Sequence, residues 1–353
     1  MKEIDKGNLV GALLVDLSKA FDTISHQQLL GELRSIHLDT NALKLFQSYL
    51  SDRQQRVVSK GIATEWNSVT KGVPQGSCLS PLLFNIYVRE LPADDDRNAN
   101  VLTMQFADDA THSAAAKTID DIGIKLSARF TRTKNFCRDH GLVLNAAKTQ
   151  LIIFKQPSKK VPNDYQLNID GAVLTPAKHV NLLGVTLDRH LTFAGHIDTV
   201  VNRTRGLLGI LRRASNWLPR ELVLLAYQSL IRTRLEYASA LLVGMADCHK
   251  EKLERMQRVA ARIICGTARD AHAEPLLTTL GLETLSMRRT KHTVSIIESI
   301  LREDCHPALR NLFTGSQVND EVTIQGSRTA VGRRRFSVAG AIAFNQSRAM
   351  PDS

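Results

Sequence analysis

Asp108 and Asp109 stand side by side in Phe106-Ala107-Asp108-Asp109, and Asp16 closes the apolar run Leu13-Leu14-Val15-Asp16 far upstream. Adjacent carboxylates beside Phe106 and Ala107 repel one another and lose stability on burial, so acids of this kind suit a site that holds hard cations through oxygen ligands. Brought together, the three would support two-metal phosphoryl transfer, in which paired divalent ions activate an attacking hydroxyl and stabilise the leaving oxygen. The acids taken alone also fit a solvated turn pair and an unrelated strand end.

The elements that must position them can be read from periodicity. Leu9 to Val15 is apolar and too short for a good helix, so it reads as a buried strand that delivers Asp16 at its end. Val101 to Phe106 and Ala110 to Ser113 read as two strands joined by a tight turn at Ala107 to Asp109, which puts the paired acids at a hairpin tip. Ser25 caps a helix to about Ile36, Thr40 opens another, and Gln54 to Val69 suggests extended segments. Ser80-Pro81 reads as a helix start with Ser as cap, and Thr118 to His140 as an amphipathic helix ended by Gly141. Leu151 to Phe154, Gln166 to Ile169 and Val180 to Leu187 complete the strands. Beyond Leu191 the pattern turns to long basic helices, Phe193 to Ser215, Arg220 to Leu242, Lys250 to Cys265 and Leu285 to Arg302, which sets a boundary near residue 190.

The 353 residues carry 46 Lys and Arg against 35 Asp and Glu, a formal charge of +11 that favours polyanionic partners such as nucleic acid. Fourteen of those cations and seven of the acids lie between Arg189 and Asp270. Arg203, Arg205, Arg212 and Arg213 sit at helical spacings, so part of the set can face one side and track phosphates, or simply form a solvated face. Trp217 reads as core or, alternatively, as a base-stacking ring, Arg333-Arg334-Arg335 as a short basic cluster with weak nuclear-targeting or RNA-contact value, and Asp94-Asp95-Asp96 as a solvated loop. The five cysteines show no C-x-x-C spacing and read as reduced thiols of an intracellular protein, nuclear or cytoplasmic, with no membrane partner.

Five stretches occur in order: Val15-Asp16-Leu17-Ser18-Lys19-Ala20-Phe21-Asp22, Gly72-Val73-Pro74-Gln75-Gly76-Ser77-Cys78-Leu79-Ser80-Pro81, Phe106-Ala107-Asp108-Asp109, Gly141-Leu142-Val143-Leu144-Asn145-Ala146-Ala147-Lys148-Thr149 and Leu182-Leu183-Gly184-Val185. Together they resemble the palm motifs of reverse transcriptases from non-LTR retrotransposons of the LINE-like and jockey-like group. Leu235-Glu236-Tyr237-Ala238, the stretch Leu253 to Ile264, and Arg335-Phe336-Ser337-Val338-Ala339-Gly340 resemble the sequence that follows the palm in this group.

The resemblance implies an α+β fold. A polymerase palm, an antiparallel sheet backed by helices, would span 1–190 with its fingers largely missing, an all-helical thumb 191–270, and a basic C-terminal tail 271–353. It implies an RNA-directed DNA polymerase using two Mg²⁺ ions to add dNTPs to a DNA primer 3′-hydroxyl on an RNA template. Asp16 and Asp108 would be the principal metal ligands, with Asp109 accompanying them and the Leu17 carbonyl as a further ligand. Phe21 would be the steric gate under the sugar, where copiers of RNA into RNA carry a small polar residue. Gln75 and Gly76 would lie beneath the nascent pair, Lys148 would protonate pyrophosphate, and Leu182 to Val185 would grip the primer. The alternative is a catalytically disabled retroelement remnant that at most binds nucleic acid. Oligomeric state is left open by the sequence.

Overall fold

The computed structural model describes residues 1–91, 101–313 and 321–349. The acidic run Asp94 to Asp96 and residues 314–320 lie outside that range. The chain divides into two compact units, Asn8–Phe154 with Lys159–Ala177, and Met1–Gly7 with Lys155–Ser158 and Lys178–Ser353. Residues 178–190 therefore cluster with the helices rather than with the sheet, and 191–270 shares one unit with 271–353.

The first of these units is built on a four-stranded antiparallel sheet. Strands β1 (Leu9–Ser18), β2 (Val101–Phe106), β3 (Asp109–Ala116) and β4 (Val143–Phe154) are ordered β2-β3-β1-β4. The central position of β1 explains its unbroken apolar run, since a strand paired on both edges and covered by side chains has little use for polar residues; Leu13 is wholly buried. Helix α5 (Ile119–Asp139) covers the sheet through Ile122, Leu126 and Phe130, all in the core of this unit. Gly11 permits that approach, because a Cβ there would meet the Ile122 side chain at 2.3 Å. Thr118 caps α5 by accepting the Asp121 N–H at 3.2 Å, and Gly141 follows the helix with φ +64°.

Four more helices complete this unit: α1 (Ala20–Thr23), α2 (His26–Ser35), α3 (Thr40–Leu50) and α4 (Ser80–Tyr87). Ser25 caps α2 and Asp39 caps α3. Ser80, expected to cap α4, instead lies inside it, with Leu79 at the cap position. Its hydroxyl donates 2.6 Å to the Pro74 carbonyl, a distant partner that outcompetes the local amide.

In the second unit a hairpin, β5 (His179–Leu182) and β6 (Val185–Asp188), turns on Leu183 and Gly184, both at positive φ. Helices α6 (Ala194–Ala214), α7 (Arg220–Ala226), α8 (Asp247–Cys265) and α9 (Leu285–Leu301) follow. The single helix expected over Arg220 to Leu242 is broken. After α7 the chain widens into a π-helix at Tyr227–Arg232, and the last helical piece stops at Leu235. Two tyrosines flank the break and bond outside it: buried Tyr227 donates 2.7 Å to Gln257 of α8, and Tyr237 donates 2.6 Å to the Leu183 carbonyl of the hairpin turn. Trp217 is 87% exposed in the turn after α6, not in the core.

Candidate active site

The three acids lie at one end of the sheet. Asp16 on β1 is the direct cross-strand partner of Asp109 at the start of β3, so period-2 alternation puts both side chains on the same face. Asp108 sits in the two-residue connection between β2 and β3, next to Ala107 at φ +52°. A non-glycine residue in that region costs on the order of 1 kcal/mol, and such strain is commonly retained where a turn must aim a side chain. On its other edge β1 pairs Asp16 with Asn145 of β4, and the register shifts between Leu14 and Asp16. A bulge there re-aims the strand beside the acids.

The electrostatics follow from the geometry. Partial burial, then the negative charge of Asp108, then that of Asp16, raise the Asp109 carboxyl above its ordinary value. Among the described residues, Lys148 on β4 pairs with the set, its Nζ 3.6 Å from Asp16 Oδ2, the ammonium largely in solvent and the carboxylate half-buried. Leu17 buries its side chain in the core and pairs with Leu144, so its contribution to a site is its main-chain oxygen.

A cleft of ≈ 550 Å³ adjoins the acids and is lined by Lys19, Phe21, Gln75, Gly76, Ser77 and Asp108 among others. Lys19 takes φ +50° where β1 gives way to α1, turning the chain so that Phe21 faces the cleft. Phe21 is fixed by stacking on Phe84, with ring centroids 4.6 Å apart and planes 28° from parallel. The loop from Gly72 to Gly76 is laced to the same segment. Gly72 N–H donates 2.8 Å to Ile24 O, Val73 N–H donates 2.8 Å to Phe21 O, and Gln75 Nε2 donates 2.9 Å to Asp22 Oδ1. Gly72 must be glycine, since its φ is +84° and a Cβ would lie 2.8 Å from the Asp22 backbone.

Every site residue expected in the sheet unit, Asp16, Leu17, Phe21, Gln75, Gly76, Asp108, Asp109 and Lys148, therefore lies at or beside one sheet end. Sequence reasoning gave no role to Asp22 and Lys19. Both fall inside the first motif, and only the contact with Gln75 and the lining of the cleft single them out. No group of three or more His, Cys, Asp or Glu side chains that could hold a metal ion occurs among the described residues. Mg²⁺ rarely relies on such a cage, being bound by one or two carboxylates together with substrate phosphates and water. Hard oxygen donors set so that partial burial, and then the charges of Asp108 and Asp16, raise Asp109 fit a divalent cation of that kind.

An antiparallel sheet thus carries acids at one end, beside a cleft walled by an aromatic ring and a glycine loop. The family model described as reverse transcriptase (RNA-dependent DNA polymerase) matches residues 3–187, and the chain belongs to that family. It is 26% identical to the RNA-directed DNA polymerase from mobile element jockey of Drosophila funebris, over 75% of this chain and 29% of that protein. It is likewise 26% identical to the probable RNA-directed DNA polymerase from transposon X-element of Drosophila melanogaster, over 82% of this chain and 32% of that protein. The chain thus spans about a third of the length of the curated relatives it matches. Among solved structures, apo telomerase from Candida tropicalis aligns at 13% identity and a TM-score of 0.39, over 86% of this chain and 52% of that one.

In Arg333-Arg334-Arg335, Arg334 donates 2.9 Å to His190 O and buried Arg335 donates 3.0 Å to Gly326 O, so only Arg333 is left as an exposed charge of that cluster. The four arginines of α6 are all exposed, and part of the set, Arg205 and Arg212, shares a face as the spacing allows, with Arg203 on another. No helix among the described residues is long and apolar enough to cross a membrane.

Proposed function

We propose that the sheet unit is the palm of an RNA-directed DNA polymerase of a jockey-like non-LTR retrotransposon, with 191–270 as its thumb and 271–353 as a C-terminal tail. The reaction is addition of a deoxynucleotide to a DNA primer 3′-hydroxyl opposite an RNA template. The observation that carries this reading is the Asp16–Asp109 cross-strand pair with Asp108 in the adjoining turn, set against the Phe21–Gln75 cleft.

Asp16 and Asp108, with the Leu17 main-chain oxygen and Asp109 beside them, would hold two Mg²⁺ ions, which when bound activate the attacking hydroxyl and neutralise charge on the leaving phosphate. Asp109, raised by partial burial and then by the charges of Asp108 and Asp16, would be favoured in its ionised form by a cation. Phe21, immobilised by Phe84, excludes a sugar bearing a 2′-hydroxyl. Gln75 spends one N–H on Asp22 and keeps its amide oxygen and second N–H for template or sugar contacts, while Gly76 leaves the backbone open to them. Lys148 is an exposed ammonium near the acids, suited to donate a proton to departing pyrophosphate. Such work belongs in the nucleus or cytoplasm.

Primer extension on an RNA template with Mg²⁺ and dNTPs tests the reading. The expected result is extension that is lost in Asp108→Asn. Template binding without extension by the unaltered chain would retire the polymerase reading in favour of a binding remnant.

A further inference from the structure

Helix α6 carries arginines on two faces. On a helix of 3.6 residues per turn, Arg205 and Arg212 are seven apart and nearly in line, whereas Arg203 lies about 160° around the axis from Arg205. The structure follows this phase. Arg203 lines a cavity of ≈ 410 Å³ shared with Arg234, Thr199 and Tyr237. Arg205 and Arg212 line a separate groove of ≈ 380 Å³ between α6 and α8, together with Arg255 and a floor that includes Leu208, Met256 and Ile263. That groove continues past Arg212 and Arg255 into a second hollow of ≈ 650 Å³ that ends at Arg269.

No acid is among the residues that line the groove or the hollow. The carboxylates of α6 and α8 are engaged elsewhere: Asp198 pairs with Lys252, Asp247 with Lys250, Glu251 with Arg258, and Glu254 accepts the Leu285 and Ser286 N–H groups at the start of α9. Arg205 is bonded to the neutral Asn202, and Arg212, Arg255 and Arg269 enter none of the ion pairs described for this unit. Two arginines about 10 Å apart along α6 face another on α8 across an apolar trough, so a ligand that fits has repeated negative charges on its flanks and a flat apolar face between them. A single strand of nucleic acid has that form, while a duplex turns its bases inward and offers the trough only phosphates.

We propose that the α6–α8 groove is a second nucleic-acid surface that holds single-stranded RNA, distinct from the Arg203 side of the same helix. The choice of RNA over an acidic peptide rests on the polymerase reading above; the existence of the anion groove does not. Because the two arginine faces point apart, one strand lying in the groove leaves Arg203 and Arg234 available to another.

The test is binding of a labelled single-stranded RNA to the full chain across a KCl series, with no dNTPs present, so that its outcome is separate from that of primer extension. In Arg205→Gln/Arg212→Gln/Arg255→Gln the affinity should fall roughly 10- to 100-fold and the slope of log K against log salt should become shallower by about 2. The corresponding Arg→Lys triple should keep most of the slope, and Arg203→Gln/Arg234→Gln should still show the groove's contribution. Should the Gln triple fail to fold, exposed Arg255→Glu alone should lower affinity several-fold. An unchanged slope in the Gln triple, or displacement of the RNA by poly-glutamate at equal charge concentration, would overturn the proposal.

Discussion

The acid-bearing sheet end and the arginine-bearing helices place charge by different means. In the sheet, pairing register decides everything: Asp16 meets Asp109 because Leu9 to Asp16 run one-for-one against Ala116 to Asp109, and a slip of one residue would turn Asp16 into the core. In the helices only angular phase is decided, so arginines a few residues apart are dealt to different faces. The sheet yields a point-like site held by a bulge, a strained turn and a laced loop. The helices yield a strip tolerant of single losses. Mutations should therefore be steep at the first and shallow at the second.

The largest effect should come at the acids. Asp108→Asn should reduce extension by on the order of 10³-fold while leaving RNA affinity within about 2-fold, the loss expected when a group acting on transition-state charge is removed. Equal losses of both would erase the contrast between the regions. Next is Gly72→Ala, whose added Cβ meets the Asp22 backbone at 2.8 Å with φ +84°; urea unfolding should show a loss of about 2 to 3 kcal/mol, and wild-type stability would mean the loop is not laced as described.

A comparable effect is written in pH. His112 is fully buried on β3 between Thr103 and Thr133, and burial, with the nearby Arg129 charge, lowers it from 6.5 to about 4. Between those values the unfolded chain binds a proton that the folded chain does not. Stability is therefore whole above pH 6.5 and falls as pH drops toward 4, by about 3 kcal/mol at most. Urea midpoints measured from pH 7 to 4 should show the decline, and His112→Gln should remove that part of it. Smaller still, Phe21→Ala should relax discrimination against ribonucleotides roughly 10- to 100-fold in misincorporation assays. Smallest, Lys148→Ala should alter stability by less than about 1 kcal/mol, its pair with Asp16 being solvent-exposed, yet slow extension measurably.

What could be read in the sequence was what local pattern encodes. The apolar run before Asp16, the strand–turn–strand around Asp108 and the capped helix from Thr118 all appear where periodicity and capping residues put them. What escaped depends on partners far along the chain. Ser80 bonds Pro74, Tyr227 reaches Gln257 and Tyr237 reaches Leu183, and each contact lies at a helix boundary or break that local rules misjudged. Trp217 was misread because bulk predicts burial only on average, and its neighbours place it in a turn. The bulge beside Asp16 has no residue signature at all.

Asp5, in the short helix Lys2–Asp5, accepts N–H groups from Arg328 and Thr329 and the Thr329 hydroxyl, bonds that outweigh burial and keep it below its ordinary value. Residues 1–7 thus belong with 178–353, although the whole of β1 comes next in the chain. The two units are interleaved in sequence, and no single scission separates them. Cleavage between 177 and 178 would send Asp5 off with the wrong fragment and strip the other half of an internal strap.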